Sequence, residues 1–177
     1  MPAPSRIRYF DHAATAWPKP PEVVDAIVRS MAEAGGNPGR GAHPLSLAAA
    51  RVVAGARSAL ASLLGVPAER AIILVPGCTT GLNLVLKGSL APGDRVVVSS
   101  VEHNAVVRPL QALGALGVEV VVVRGDRQGR IDPDDFERAV ASAPTRAVIC
   151  QHASNVTGAI QPVGDLADIA HQHGAVL

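Results

Sequence analysis

The sequence is poor in aromatic side chains, cysteine and lysine, and it has no run of charge of one sign. Its four aromatic residues are Tyr9, Phe10, Trp17 and Phe136, so a core must be built from Val, Leu, Ile and Ala, which the 48% hydrophobic content supplies. Charged residues make up 18%, which excludes a disordered polyelectrolyte. Cys78 and Cys150 are the only cysteines and stand far apart. That excludes a disulfide framework and a cysteine-built zinc site, and points to a reducing cytoplasm. The net charge is +1 with scattered basic residues, which gives no electrostatic footprint for nucleic acid or an anionic membrane. The opening MPAPSRIRYFDHAAT lacks the apolar stretch of a secretory signal. Apolar runs such as Val118–Val123, interrupted by Glu119, are too short to span a bilayer. Nucleotide fingerprints are missing too. Gly39-Arg40-Gly41 continues as Ala-His-Pro, and Lys87 does not follow a glycine as a Walker A lysine does. A nucleotide-dependent enzyme on a Rossmann-like sheet is disfavoured on that ground.

What is present is an alternation of short apolar runs and amphipathic stretches. The spacing predicts helices over Pro20–Gly35, His43–Leu64, Thr79–Leu86, Ala105–Leu116, Pro133–Ala143 (with Asp132 as N-cap) and Val163–His173. Strands are expected at Ile7–Asp11, Ala71–Val75, Arg95–Ser99, Val118–Val123 and Arg146–Cys150. Gly35–Gly41 reads as a loop. Strands alternating with helices imply an α/β fold with a mainly parallel sheet covered by helices on both faces. The organisation expected is an N-terminal segment with one helix over 1–42, then an α/β domain over 43–177. The last residues, Ala175–Leu177, begin a further apolar run directly after Gly174, as a strand cut in its middle would; a truncated chain is expected.

Three polar clusters each follow an expected strand: Gly77-Cys78-Thr79-Thr80-Gly81, Glu102-His103-Asn104 and His152-Ala153-Ser154-Asn155. In open α/β sheets ligands bind beyond the carboxyl ends of the strands, so one shared site is expected. The first cluster is a glycine-rich turn opening a helix at Thr79. Backbone N–H groups of Cys78, Thr79 and Thr80 at a helix N-terminus suit an anion such as phosphate; an ordinary capped helix end is the competing reading. His103 is placed to stack on a flat ligand or to move protons, or to bond its own neighbours. Asn155 offers a donor and an acceptor, or serves a turn. His12 follows the expected first strand and has a capping role as its alternative. Cys78 stands where thiols become nucleophilic, but a small residue lending its backbone fits better. Cys150 reads as core. His171 and His173 are two residues apart on a helix, share no face, and do not form a metal pair.

Taken in order, Asp11-His12-Ala13-Ala14-Thr15, the loop Asn37-Pro38-Gly39-Arg40-Gly41-Ala42-His43, Gly77-Cys78-Thr79-Thr80-Gly81-Leu82-Asn83, Glu102-His103-Asn104 and His152-Ala153-Ser154-Asn155-Val156-Thr157-Gly158 resemble the cysteine desulfurase branch of the class V aminotransferase superfamily. These are fold-type I enzymes dependent on pyridoxal 5′-phosphate (PLP). The resemblance runs from about Ile7 to the last residue and implies the large domain of that fold, cut short. It implies Thr79 and the backbone of Cys78 on the PLP phosphate, and His103 stacked on the pyridine ring as the catalytic residue. It further implies Asn155 on the phenolic oxygen near the substrate carboxylate, and His12 and Ala13 in the substrate pocket. L-cysteine as substrate, alanine and a protein persulfide as products, a sulfur-acceptor protein and a homodimer, with Gly35–Gly41 in the dimer contact, are implied as well. The family's pyridine-nitrogen aspartate, its cofactor-binding lysine and its persulfide cysteine find no match here, and the only lysines, Lys19 and Lys87, fit no lysine motif. The chain by itself is expected to bind PLP weakly and to catalyse little. Selenocysteine lyase, an aminotransferase, and a non-catalytic binding module remain the alternatives.

Overall fold

The structure is a computed structural model and describes residues 7–177. The first six residues of the expected N-terminal segment lie outside that range. The chain divides into two compact units, one ending at Leu74 and one comprising Val75–Leu177.

The first unit is helical. Helix α1 spans Pro21–Glu33, opened by proline at its first turn. Helix α2 spans Pro44–Leu64 and stops at Gly65. His43 caps α2: its Nδ1 accepts the Ser46 N–H at 3.4 Å and its Nε2 bonds the Ser46 hydroxyl at 2.9 Å. The glycine loop before it wraps onto the same residue. A Cβ on Gly36 would lie 2.5 Å from the Ser46 nitrogen, and one on Gly41 2.5 Å from the Ser46 hydroxyl, so no larger side chain fits at either position. By length and composition α2 could cross a bilayer, contrary to the expectation that every apolar stretch is too short. Arg51 and Arg57 in its middle oppose that use, each costing about 2.5–3.5 kcal/mol near a membrane centre. A single 3₁₀ turn follows at Glu69–Ala71.

The second unit is an α/β layer structure. Helix α3 spans Cys78–Ser89, strand β1 Arg95–Ser99, helix α4 Asn104–Ala115 and strand β2 Glu119–Val123; helix α5 (Pro133–Ala141), strand β3 (Ala147–Ile149) and helix α6 (Val163–Gln172) complete it. The strands form a parallel sheet in the order β2-β1-β3, with Val97 opposite both Val121 and Val148. Val176 adds a parallel bridge to Ala147 on the outer side of β3. Central β1 is buried on both faces, which is why it reads as an unbroken apolar run. The pleat sends Val96 and Val98 to one face, against Leu86, Val106, Leu110 and Leu113 of α3 and α4. It sends Val97 to the other, against Phe136, Val140, Leu166 and Ala170 of α5 and α6.

The helix caps follow the sequence: the Asp132 carboxylate accepts the Asp134 N–H at 3.0 Å. Two expected strands are absent. Ile7–Asp11 is not a strand, with Ile7 and Phe10 exposed. After the 3₁₀ turn, Ile72–Val75 runs without sheet partners, and Ile73, Leu74 and Val75 are exposed. A strand exists only as half of a pair, and neither segment has a neighbour along which to build a ladder.

Buried Arg95 fixes the start of β1. Its guanidinium bonds the Ala139 carbonyl (2.9 Å) and Ser142 hydroxyl (2.9 Å) at the end of α5, the Thr145 hydroxyl (2.6 Å), and the Glu119 carboxylate (3.2 Å) on β2.

Candidate cofactor site

The parallel strands β1 and β3 deliver two of the three polar clusters to one edge of the sheet. After β1 the chain turns at Ser100–Glu102 and enters α4 with His103 as N-cap. The ring accepts the Ala105 N–H at Nδ1 (3.0 Å), so Nδ1 carries no proton in this geometry and Nε2 is the free, proton-bearing nitrogen. After β3 the chain forms a small hairpin with an antiparallel bridge between Ala153 and Ile160 and a turn at 155–157. Asn155 occupies that turn.

The two exits are tied together. The Glu102 carboxylate accepts the Ser99 hydroxyl and the Gln151 backbone N–H (2.7 Å), while the Gln151 side-chain amide donates to the Val101 carbonyl. Between them lies a cavity of about 380 Å³ lined by Ser100, Glu102, His103, Asn104, Asn155 and Thr157, among others. That is within the range of small-ligand pockets, and its lining is rich in polar groups. His103 and Asn155 both line this cavity.

Cys78 and Thr79 are exposed at the start of α3 and are not part of that lining. Gly77 precedes the helix in an extended conformation, and no side chain caps it. The first helical bond runs from the Gly81 N–H to the Gly77 carbonyl at 3.1 Å. The N–H groups of Cys78, Thr79 and Thr80 therefore have no acceptor within the helix, and the Thr79 hydroxyl does not supply one. Because Ile72–Val75 is not a strand, this third cluster follows an unpaired extended segment rather than a strand end.

His12 and Ala13 belong to the first unit. They sit in a turn where Ala14 and Thr15 N–H groups reach the Asp11 carbonyl. The His12 ring meets Tyr9 edge-on at 4.8 Å, and the Tyr9 hydroxyl donates to the Asp11 and Thr15 carbonyls. Cys150 is half-buried against the α5–α6 side of the sheet. Burial pushes its thiol up to about 11, the Glu102 carboxylate adds to that, and a hydrogen bond with Ser99 opposes it. Cys150 is therefore a thiol at neutral pH, in keeping with a core reading. Among the described residues no three His, Cys, Asp or Glu side chains converge as metal ligands.

Residues 8–177 match the family described as aminotransferase class-V. The chain belongs to this family. Within it, the chain is 33% identical, over 98% of its own length, to a "Probable cysteine desulfurase" of Halalkalibacterium halodurans. Among solved structures it is similar to the cysteine desulfurase of Thermococcus onnurineus, with a TM-score of 0.84 and 33% identity over 94% of the chain. It is also similar to the cysteine desulfurase CsdA of Escherichia coli, with a TM-score of 0.75 and 30% identity. The class V chain spans about 43% of the length of the first of these and 42% of each of the two solved structures. The architecture is accordingly that of the fold-type I PLP enzymes.

Residues that sequence reasoning passed over complete the picture. Glu102 was legible only as part of a motif, while Gln151 and Gln161 carried no signal, since their partners lie 30 to 50 residues away. A buried amide between two loops is visible only once the loops meet.

Proposed function

We propose that this chain is the cofactor-holding portion of a PLP-dependent cysteine desulfurase. The observation that carries the reading is the convergence of His103 and Asn155 on one polar cavity at the carboxyl edge of the parallel sheet. It is favoured over selenocysteine lyase, an aminotransferase or a non-catalytic module because the relatives and solved structures reported above are cysteine desulfurases. PLP, when bound, supplies an electron sink for chemistry at the substrate's α-carbon; binding, orientation and electrostatics fall to the protein.

The residues present fit that group. The uncapped N–H groups of Cys78, Thr79 and Thr80, with the Thr79 hydroxyl, would hold the phosphate at a helix N-terminus. The His103 ring would stack on the pyridine. Its Nδ1 is occupied by the Ala105 N–H, so the ring holds or passes a proton at Nε2 alone. Asn155 would donate its amide to the phenolic oxygen, near the substrate carboxylate. In the whole protein the substrate is L-cysteine, the products are alanine and a persulfide passed to a sulfur-acceptor protein, and the enzyme is a cytoplasmic homodimer.

Neither lysine of this chain is arranged to hold the cofactor covalently. Lys87 stands at the opposite end of α3 from Cys78, roughly 13 Å along the axis. Lys19 bonds the Thr15 hydroxyl (2.6 Å) and the Ala16 carbonyl. Equilibrium dialysis tests the reading. The chain binds PLP weakly, with Kd of about 1 mM, at least tenfold more tightly than unphosphorylated pyridoxal, and without an absorbance band that borohydride abolishes. Equal affinity for pyridoxal and PLP contradicts the phosphate assignment, and a borohydride-sensitive band contradicts the lysine argument.

A further inference from the structure

We infer that Gln161 is a positioning residue for Asn155, an inference that rests on the reading of Asn155 as a cofactor ligand. The hairpin carrying Asn155 is held in shape by local bonds. The Ser154 N–H reaches the Ala159 carbonyl (2.9 Å), the Gly158 N–H reaches the Ser154 carbonyl (3.0 Å), and the Ser154 hydroxyl accepts the Val156 and Thr157 N–H groups. These bonds fix the hairpin's form but not its aim, because every partner lies within the hairpin.

Gln161 supplies the external reference. It is 2% exposed. Its backbone N–H donates to the His152 carbonyl at the hairpin base (2.8 Å). Its side chain crosses to the turn at 126–131, where Oε1 accepts the Ile131 N–H (2.9 Å) and Nε2 donates to the Gly129 carbonyl (2.7 Å). That turn is itself rigid, with the Asp126 carboxylate accepting the Gln128 and Arg130 N–H groups. It also backs the hairpin tip directly. A Cβ on Gly129, whose φ is +77°, would lie 3.4 Å from the Thr157 hydroxyl. An amide is the side chain this clasp needs, since it faces one N–H and one carbonyl and carries one acceptor and one donor for them. A buried amide with both its oxygen and its nitrogen bonded resists any displacement that breaks either bond.

Hydrogen exchange followed by NMR on the 177-residue chain tests this. Gln161→Met keeps the volume but leaves both backbone groups unpaired. Protection factors at Ser154 and Val156–Ala159 should fall tenfold or more, while those of β1 stay within twofold. Gln161→Glu should show the same loosening at pH 8, where the carboxylate has no donor, and recover at pH 5, because burial at this position raises a carboxyl's pKa and favours the protonated acid that restores both bonds. If Gln161→Met does not fold, the Gln161→Glu comparison between the two pH values carries the test. Unchanged protection at the hairpin, or an equal fall in β1, overturns the inference. PLP titration of the same samples supplies the second readout. The concentration giving half-maximal perturbation of the Asn155 resonance should rise about tenfold in Gln161→Met. An unchanged value despite a loosened hairpin also overturns the inference. No perturbation of Asn155 in the parent chain at millimolar PLP overturns instead the cofactor reading, while the exchange result still decides whether Gln161 positions the hairpin.

Discussion

The two cysteines show how much environment decides at the scale of one residue. Cys78 is exposed on the first turn of α3, whereas Cys150 is half-buried with its thiol pushed up to about 11, chiefly by burial and then by Glu102. Iodoacetamide at pH 8 should therefore label Cys78 and spare Cys150, as read by peptide mass spectrometry; equal labelling contradicts the assigned environment. The sign of the linkage follows. The folded state holds the Cys150 proton more tightly than the ordinary value of 9.0, so its contribution to stability is present below about pH 9 and is lost as pH rises toward about 11. Urea midpoints should fall across that window, and Cys150→Ala should flatten the fall. Site residues were legible where chemistry is local. His103 and Asn155 stand out because polar clusters follow apolar runs. His103 caps its own helix through Nδ1, the neighbour-bonding role the sequence also offered, which leaves Nε2 for the ligand role proposed above.

Elements were legible in proportion to how much of their stability is their own. Asp132 before α5 announces a helix start in the sequence and acts as its cap, whereas His43, expected as the first residue of its helix, stands outside α2 as its cap. The unbroken run Val96–Val98 marked the strand Arg95–Ser99, since both its faces are covered by apolar helices. Ala71–Val75 carries the same kind of apolar run and is not a strand, because a run states a preference and only a neighbouring strand fulfils it. Arg95 carried no signal at all, yet it joins β1, β2 and the end of α5. Asp132→Ala should cost about 1 kcal/mol in urea unfolding. Arg95→Met should cost about 2–3 kcal/mol, because the carbonyl and hydroxyl groups it satisfies lose a charged donor. A cost for Arg95→Met no larger than that for Asp132→Ala would contradict its role as the joint of the sheet.

At the scale of the whole molecule, each unit leaves apolar surface uncovered. Ile27, Val28 and Met31 of α1, and Leu45, Leu63 and Leu64 of α2, are exposed, as is Val122 of β2. Surfaces of this kind associate. The chain should bind 8-anilinonaphthalene-1-sulfonate in its folded state and show a weight-average mass that rises with concentration in sedimentation equilibrium; an ideal monomer without dye binding contradicts this. The central claim, however, is that Cys78–Thr80 and the His103–Asn155 cavity act as one cofactor site. Amide-resolved NMR titration of the chain with PLP tests it most directly. The account requires that the N–H resonances of Cys78, Thr79 and Thr80 and those around His103 and Asn155 shift together with a single midpoint. Shifts confined to one of the two groups, or found elsewhere on the molecule, would contradict it.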